Sequence, residues 1–255
     1  MTQDTCPTGA PDAKAPLTAA VGVDERGQEA SDASGSHHGA PFDFGNLARL
    51  EPVSRQFGLD RGQAIDRVFI ERFLERHRRD IRGRVMEVAE DTYTRRFGCR
   101  VSVSDILHLD PAYRKATITG DLTRTNDWRA GTHDCIILTQ TLQHVFDVAA
   151  AVRTVHRVLA PGGVVLVTVP GISQISRFDM ERWGDFWRFT TRSVQELFER
   201  VFAPRDVQIK SYGNVWCSAA FLHGLSAAEI PPEALVRHDP DYQLVITVRA
   251  VKTQG

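Results

Sequence analysis

Two periods of hydrophobic spacing alternate along most of this chain. GQAIDRVFIERFLERHRRDIRG, residues 62–83, sets Ile65, Val68, Phe69, Phe73 and Leu74 at spacings of three and four, with arginines and glutamates between them. That pattern predicts an amphipathic helix ending near Gly83, its dense charge forming a solvated face. Beyond it the period shortens. RVMEVA (84–89) is a compact apolar run, CRVSVSD (99–105) alternates, and KATITGD (115–121) follows. DCIILTQ (134–140) and VVLVTVP (164–170) read as fully buried strands. Between them AAAVRTVHRVL (149–159) is a helix stopped by Pro161-Gly162-Gly163, and TRSVQELFERVF (191–202) is another helix. DVQIKSYG (206–213) and QLVITVRAVK (243–252) close the series as strands. Rows of β-branched residues separated by helix-length segments predict an α/β fold whose parallel sheet is covered on both faces. The last two strands lack a long helix between them, which predicts an antiparallel pair at one edge.

Residues 1–45 break this pattern. They are rich in Ala, Gly, Ser, Pro, Thr and Asp and nearly devoid of large apolar side chains. Such a segment cannot bury enough surface to offset its ordering entropy, so it is expected to be a disordered tail. His37 and His38 within it are expected to bind nothing. The ordered domain is then 46–255, with 46–83 as an N-terminal helical lid.

Composition narrows the function. The chain is 42% hydrophobic and 25% charged, with 31 basic and 32 acidic residues and a net charge of -1. That balance gives no electrostatic reason to expect nucleic acid or anionic membrane as a partner. No apolar run approaches the ~20 residues that span a bilayer. The start, MTQDTCPTGAPDAK, has neither the basic nor the apolar region of a secretory signal. Cys6, Cys99, Cys135 and Cys217 have no metal-ligand spacing, and Cys135 sits in an apolar run. A cytoplasmic protein with reduced thiols and no metal is expected.

Taken in order, these pieces resemble the class I S-adenosylmethionine-dependent methyltransferases from about Arg84 to Lys252. The most specific part is DCIILTQTLQHVFDVAAAVRTVHRVLAPGGVVLVTVP, which is similar to that family's fourth strand, following helix and Pro-Gly-Gly turn into the fifth strand. WRFTTRSVQELFERVF resembles the next loop and helix of its small-molecule members. The resemblance implies a Rossmann-like doubly wound seven-stranded sheet with an antiparallel last strand, and S-adenosyl-L-methionine as cofactor.

Ligands of such sheets sit outside the carboxyl ends of the strands, near the switch in strand order. The family's first strand ends in an acid and a Gly-x-Gly-x-Gly turn. Glu87 matches the acid, but Ala89, Asp91 and Tyr93 stand where the glycines would be. A dinucleotide needs those glycines because its pyrophosphate packs on backbone. S-adenosylmethionine brings a sulfonium and an ammonium instead, and Glu87, Glu90 and Asp91 suit cations. Asp91 or Thr92 would cap the helix that follows.

The resemblance further implies that Asp105 accepts hydrogen bonds from the ribose, against the plainer reading of a turn residue. It implies that Asp121 accepts from the adenine amino group beside the Leu122 amide, and that Thr139 and Gln140 line the methionine end. Arg61 would pair with the cofactor carboxylate, or belong only to a charged face.

Methyl transfer chiefly requires alignment, but a hydroxyl acceptor also needs a base. His144, just after the fourth strand, is the candidate; its other reading is a packing or capping residue. His223, Asp179 and Asp185 are weaker candidates. The segment Ile172–Thr190 is a long aromatic loop of the kind that closes sites. Phe178, Met180 and Trp183 are its candidate substrate contacts, while Trp187 and Phe189 are expected to pack on the core. The expected partners are a small-molecule acceptor and a second copy in a homodimer. O-methylation of a sugar or specialised metabolite is the expected activity, and a non-catalytic methyltransferase-like scaffold is the alternative.

Overall fold

The computed structural model describes residues 45, 48–124 and 128–253, all within the unit Gly45–Gly255. The tail expected over 1–45, with Cys6, His37 and His38, lies outside the described residues apart from Gly45. Seven strands form one sheet: β1 (Gly83–Val88), β2 (Val101–His108), β3 (Ile118–Thr119), β4 (His133–Thr139), β5 (Leu159–Pro170), β6 (Val207–Tyr212) and β7 (Val245–Val251). Their order is β3-β2-β1-β4-β5-β7-β6. β1 to β5 pair in parallel, while β7 runs antiparallel to both β5 and β6.

Strand alternation sends successive residues to opposite faces, and each face has its own helices. Met86, Ile136, Leu138, Val165 and Val167 pack with Val152 and Val155 of α3 (Val148–Val158) and with Val194 and Phe198 of α5 (Thr191–Glu199). On the other face Val85, Cys135, Ile137, Val164 and Leu166 meet α1 (Ile65–Arg76), α2 (Thr92–Phe97) and α6 (Val215–Leu222). A fourth short helix in chain order, α4 (Arg177–Arg182), lies between β5 and α5 and buries none of its residues. Side chains start three of these helices: Asp147 accepts from the Ala150 amide, Thr190 and Ser193 form a reciprocal capping box, and Asn214 accepts from the Cys217 amide.

Several boundaries differ from the sequence reading. The first helix stops at Arg76, and the remaining charged residues form turns before β1. β3 shrinks to two residues. β5 starts at Leu159, because the Pro-Gly-Gly segment joins the sheet through a register shift opposite His133 and Cys135. Most consequential, β2 runs on to His108 rather than ending at Asp105. Its register against β1 pairs Met86 with Asp105 and Val88 with Leu107, so pairing and the burial of Ile106 and Leu107 carry the strand past the acid. Among the described residues, no helix is long and apolar enough to cross a membrane.

One ion pair ties the α1–β1 connection to the antiparallel edge. The Asp80 carboxylate accepts from Arg249 Nε at 2.7 Å and Nη2 at 3.0 Å, and His77 Nδ1 lies 3.5 Å away. Burial opposes its charge, but hydrogen bonds from His77 and Arg249 outweigh that and hold the carboxyl well below the usual carboxylate range. A depressed carboxyl stabilises the fold above its unfolded pKa of about 4 and loses that contribution as pH falls below it. Asp80→Asn should therefore cost about 2 kcal/mol at pH 7 in urea unfolding. The gap from wild type should narrow as the pH is taken below about 4.

Candidate active site

The strand order reverses between β1 and β4, and a cleft of about 930 Å³ opens at the carboxyl ends of these strands. Volumes of this size hold a cofactor and part of a second ligand. Both strands beside the switch end in a residue with left-handed backbone that is not glycine. Ala89 follows β1 with φ +69°, and Gln140 follows β4 with φ +48°. Each is locked by its neighbour strand: the Ala89 amide donates to Leu107 O at 2.9 Å, and the Gln140 amide donates to Thr168 O at 2.9 Å. Both line the cleft. A side chain in this conformation costs on the order of 1 to 2 kcal/mol, and such strain gathers where backbone must face a ligand.

The glycine-free corner is held by Glu87. Its carboxylate is 4% exposed and accepts from the Tyr93 amide at 3.1 Å, the Thr94 amide at 2.7 Å and the Thr94 hydroxyl at 2.7 Å. Glu87 thus caps α2 from the strand below. Asp91, in the N-cap position, makes no capping bond and pairs instead with Arg95, which corrects the expectation of an Asp91 or Thr92 cap. Burial raises the Glu87 pKa, with the three donors working against the rise. Tyr93 leaves the cleft open, its ring stacking on Phe97 at 6.1 Å.

Of the residues singled out from the sequence, the cleft brings together Glu87, Ala89, Asp121, Leu122, Thr139, Gln140, His144 and Trp183. Asp121 accepts from the Thr123 amide and hydroxyl, both at 2.8 Å, and so shapes the loop after β3.

Four others fall outside it. Asp105 sits three residues below the tip of β2, about 10 Å down at strand rise. There Arg84 Nε lies 2.6 Å, Thr117 Oγ1 3.0 Å and His133 Nε2 3.1 Å from its carboxylate. Burial works against its charge, and these partners more than offset that. It is a strut of the sheet, and the ribose role expected for it does not fit its place. Arg61 is engaged by Glu229, with Nε donating to Oε2 at 3.0 Å, so it does not line the cleft. Phe178 is 63% exposed beneath the Arg182 guanidinium, 3.6 Å from its ring centre. Met180 is also absent from the cleft wall.

Other lining residues escaped the sequence reading. His108, at the true end of β2, stacks on Tyr113 at 4.2 Å and meets Trp183 edge-on at 5.6 Å. Asp66 and Arg67 on α1 and Gln143 after β4 also line the cleft. The helical period places Asp66 and Arg67 on α1 but not against the cleft. Only the docking of that helix does so.

The far wall is the loop 171–190, whose backbone is held down at many points. His144 Nδ1 lies 2.7 Å from Gly184 O, the Phe186 amide donates to Gln143 O at 2.8 Å, and Trp187 Nε1 donates to Val145 O at 3.1 Å. Within the loop Arg188 grips Asp185 through two nitrogens, at 2.6 and 2.9 Å, and Asp185 accepts from the Ser176 amide. Burial opposes ionisation of Asp185, but Arg188 holds its carboxyl below the usual range. Phe189 is buried in the core, while Trp187 stays 39% exposed, so of the two only Phe189 packs as expected.

S-adenosylmethionine fits these residues. The cleft wall carries more carboxylates than arginines, and two buried acceptor oxygens on it, Asp66 Oδ1 and Gln143 Oε1, have no hydrogen-bond partner among the described residues. A cationic ligand that brings hydrogen-bond donors suits such a wall, and a pyrophosphate does not.

Two outcomes are expected at the corner. Glu87→Gln should lower stability by about 1 to 3 kcal/mol, by leaving an α2 donor unpaired. Ala89→Gly should raise stability or leave it unchanged, because relief of left-handed strain opposes the extra entropy of glycine in the unfolded chain. Urea unfolding of the two variants measures both.

A family model described as a methyltransferase domain matches residues 61–203, from the approach to α1 through α5. No curated protein sequence matches the chain. Solved structures similar to it include a SAM-dependent methyltransferase from Archaeoglobus fulgidus, 11% identical with a TM-score of 0.48 over 73% of this chain and 94% of that one. An S-adenosylmethionine-dependent methyltransferase from Mesorhizobium loti is 17% identical with a TM-score of 0.45, over 66% of this chain and 90% of that one. The YcgJ protein from Bacillus subtilis is 14% identical with a TM-score of 0.46, over 72% and 99%. With the matched model spanning more than half of its residues, the chain belongs to the methyltransferase-domain family and is a class I S-adenosylmethionine-dependent methyltransferase.

Proposed function

We propose that this enzyme methylates a hydroxyl of a small molecule, a sugar or specialised metabolite, with His144 as the general base. The observation that carries the reading is the tautomer imposed on His144. Gly184 O can only accept, so Nδ1, 2.7 Å away, must carry the proton. Nε2 is then left with its lone pair, and no hydrogen bond to it occurs among the described residues. The Asp179 carboxylate lies 4.0 Å from Nε2 and itself accepts from the Ser176 hydroxyl at 2.6 Å. A neutral imidazole with its orientation fixed through one nitrogen and the other free is what proton removal from an acceptor hydroxyl requires.

Bound S-adenosylmethionine supplies an electrophilic methyl group on a sulfonium. The chain's part is to hold both ligands in line and exclude water. Glu87, Ala89, Thr139 and Gln140 would face the cofactor at the two strand tips, with Asp121 and Leu122 toward its adenine. Trp183, Phe146 and Phe186 would contact the acceptor. Phe146 and Phe186 meet edge-on at 5.4 Å and remain 70% and 47% exposed at the mouth, which suits an acceptor with an apolar face. The acceptor-side arginine, Arg188, is already taken by Asp185, which favours a neutral acceptor over an anionic one.

His144→Ala should reduce turnover of a hydroxyl acceptor about 100-fold or more while leaving the affinity for S-adenosylhomocysteine within about twofold. Release of S-adenosylhomocysteine across a set of hydroxylated acceptors measures the first, and calorimetry the second. Full turnover in the variant would remove His144 from the chemistry. Wild-type protein that gives no heat with S-adenosylhomocysteine would mean a methyltransferase-like scaffold.

A further inference from the structure

The buried carboxylate of Asp66 is left unexplained by the fold. It lies in the first turn of α1, is 8% exposed and lines the cleft. Its Oδ1 has no hydrogen-bond partner among the described residues. A solvent-facing acid at a helix N-terminus gains from the helix dipole. A buried acid lacking a donor loses more than that, since an unpaired buried charge is among the costliest features a fold can carry. Burial accordingly raises the Asp66 pKa, with the neighbouring Arg67 charge only partly offsetting it. Such a group persists where a ligand completes it.

The next residue offers the complementary charge. Arg67 is half-buried on the same wall and makes no ion pair or side-chain hydrogen bond among the described residues. The neighbouring arginines are taken: Arg61 by Glu229, Arg96 by Glu71 at 2.6 and 2.9 Å, and Arg188 by Asp185. An acceptor oxygen and an unpaired guanidinium side by side match a zwitterion, which carries ammonium and carboxylate on one carbon. A sulfonium carries no hydrogen and cannot satisfy Oδ1, whereas an ammonium offers three donors.

We infer that Asp66 binds the α-ammonium of the cofactor's methionine tail and Arg67 its α-carboxylate, so that the lid helix anchors the amino-acid end of the ligand. The inference rests on S-adenosylmethionine occupying the cleft. It moves the carboxylate contact from Arg61 to Arg67 and gives the unpaired acid on α1 a ligand.

The test compares two ligands on the full chain by calorimetry. S-adenosylhomocysteine has the amino-acid tail, and 5′-methylthioadenosine lacks it. Asp66→Asn should weaken S-adenosylhomocysteine about tenfold to a hundredfold, the span of a charged hydrogen bond, and leave 5′-methylthioadenosine within about twofold. Arg67→Gln should show the same selectivity. Ligand-free Asp66→Asn should melt no lower than wild type, because it removes an uncompensated buried charge; a marked fall in Tm would mean a structural role and overturn the inference. Equal weakening of both ligands, or no weakening of either, would also overturn it while sparing the cofactor assignment. Wild-type protein binding neither ligand would overturn both.

Discussion

The site depends on one carboxylate being in the right place. Glu87 ends its strand pointing at the first amides of α2, and its bonds to Tyr93 and Thr94 fix the β1–α2 corner from below. A glycine-rich turn achieves the same corner through backbone freedom; here a buried acceptor does it through hydrogen bonds in a low-dielectric setting, where each bond is stronger. The arrangement also leaves Ala89 in a left-handed conformation, so a glycine-like backbone survives where no glycine stands. A corner built this way keeps its negative charge at the cleft, which suits a cationic cofactor and rejects phosphate.

The same logic repeats at the β4 tip. Gln140 takes a left-handed conformation under the hold of Thr168 on β5. The two strained residues stand on either side of the switch in strand order, the point at which open α/β sheets bind ligands. The sheet supplies the rigidity that over-determines both tips, through the buried β1, β4 and β5 and the helices on each face. Strain and rigidity are therefore one device, with local cost at the site offset by packing beneath it.

Charge in the cleft is sorted by depth and partner. Asp105, Arg84 and His133 form a closed network inside the sheet, and Asp185 and Arg188 close another in the far wall. What remains incomplete faces the cavity: the Asp66 and Gln143 oxygens, the Arg67 guanidinium and His144 Nε2. Satisfied pairs build the frame, and unsatisfied groups mark where a ligand belongs.

Much of this was legible in the chain itself. Hydrophobic periodicity is dictated by which faces must be buried, so the parallel sheet, its two covered faces and the antiparallel edge could be read directly. Glu87, Asp121 and Gln140 follow from strand ends in the same way. Asp105 could not be placed, because an alternating strand carries no mark of where its pairing stops; the neighbouring register decided that and drew the acid into the sheet. Arg61 and Arg67 look alike in sequence, and only the docking of α1 turns one toward Glu229 and the other toward the cleft. The identity of elements is set by local burial, whereas the partner of each charge is set by which distant segment arrives beside it. That long-range choice belongs to the tertiary structure alone.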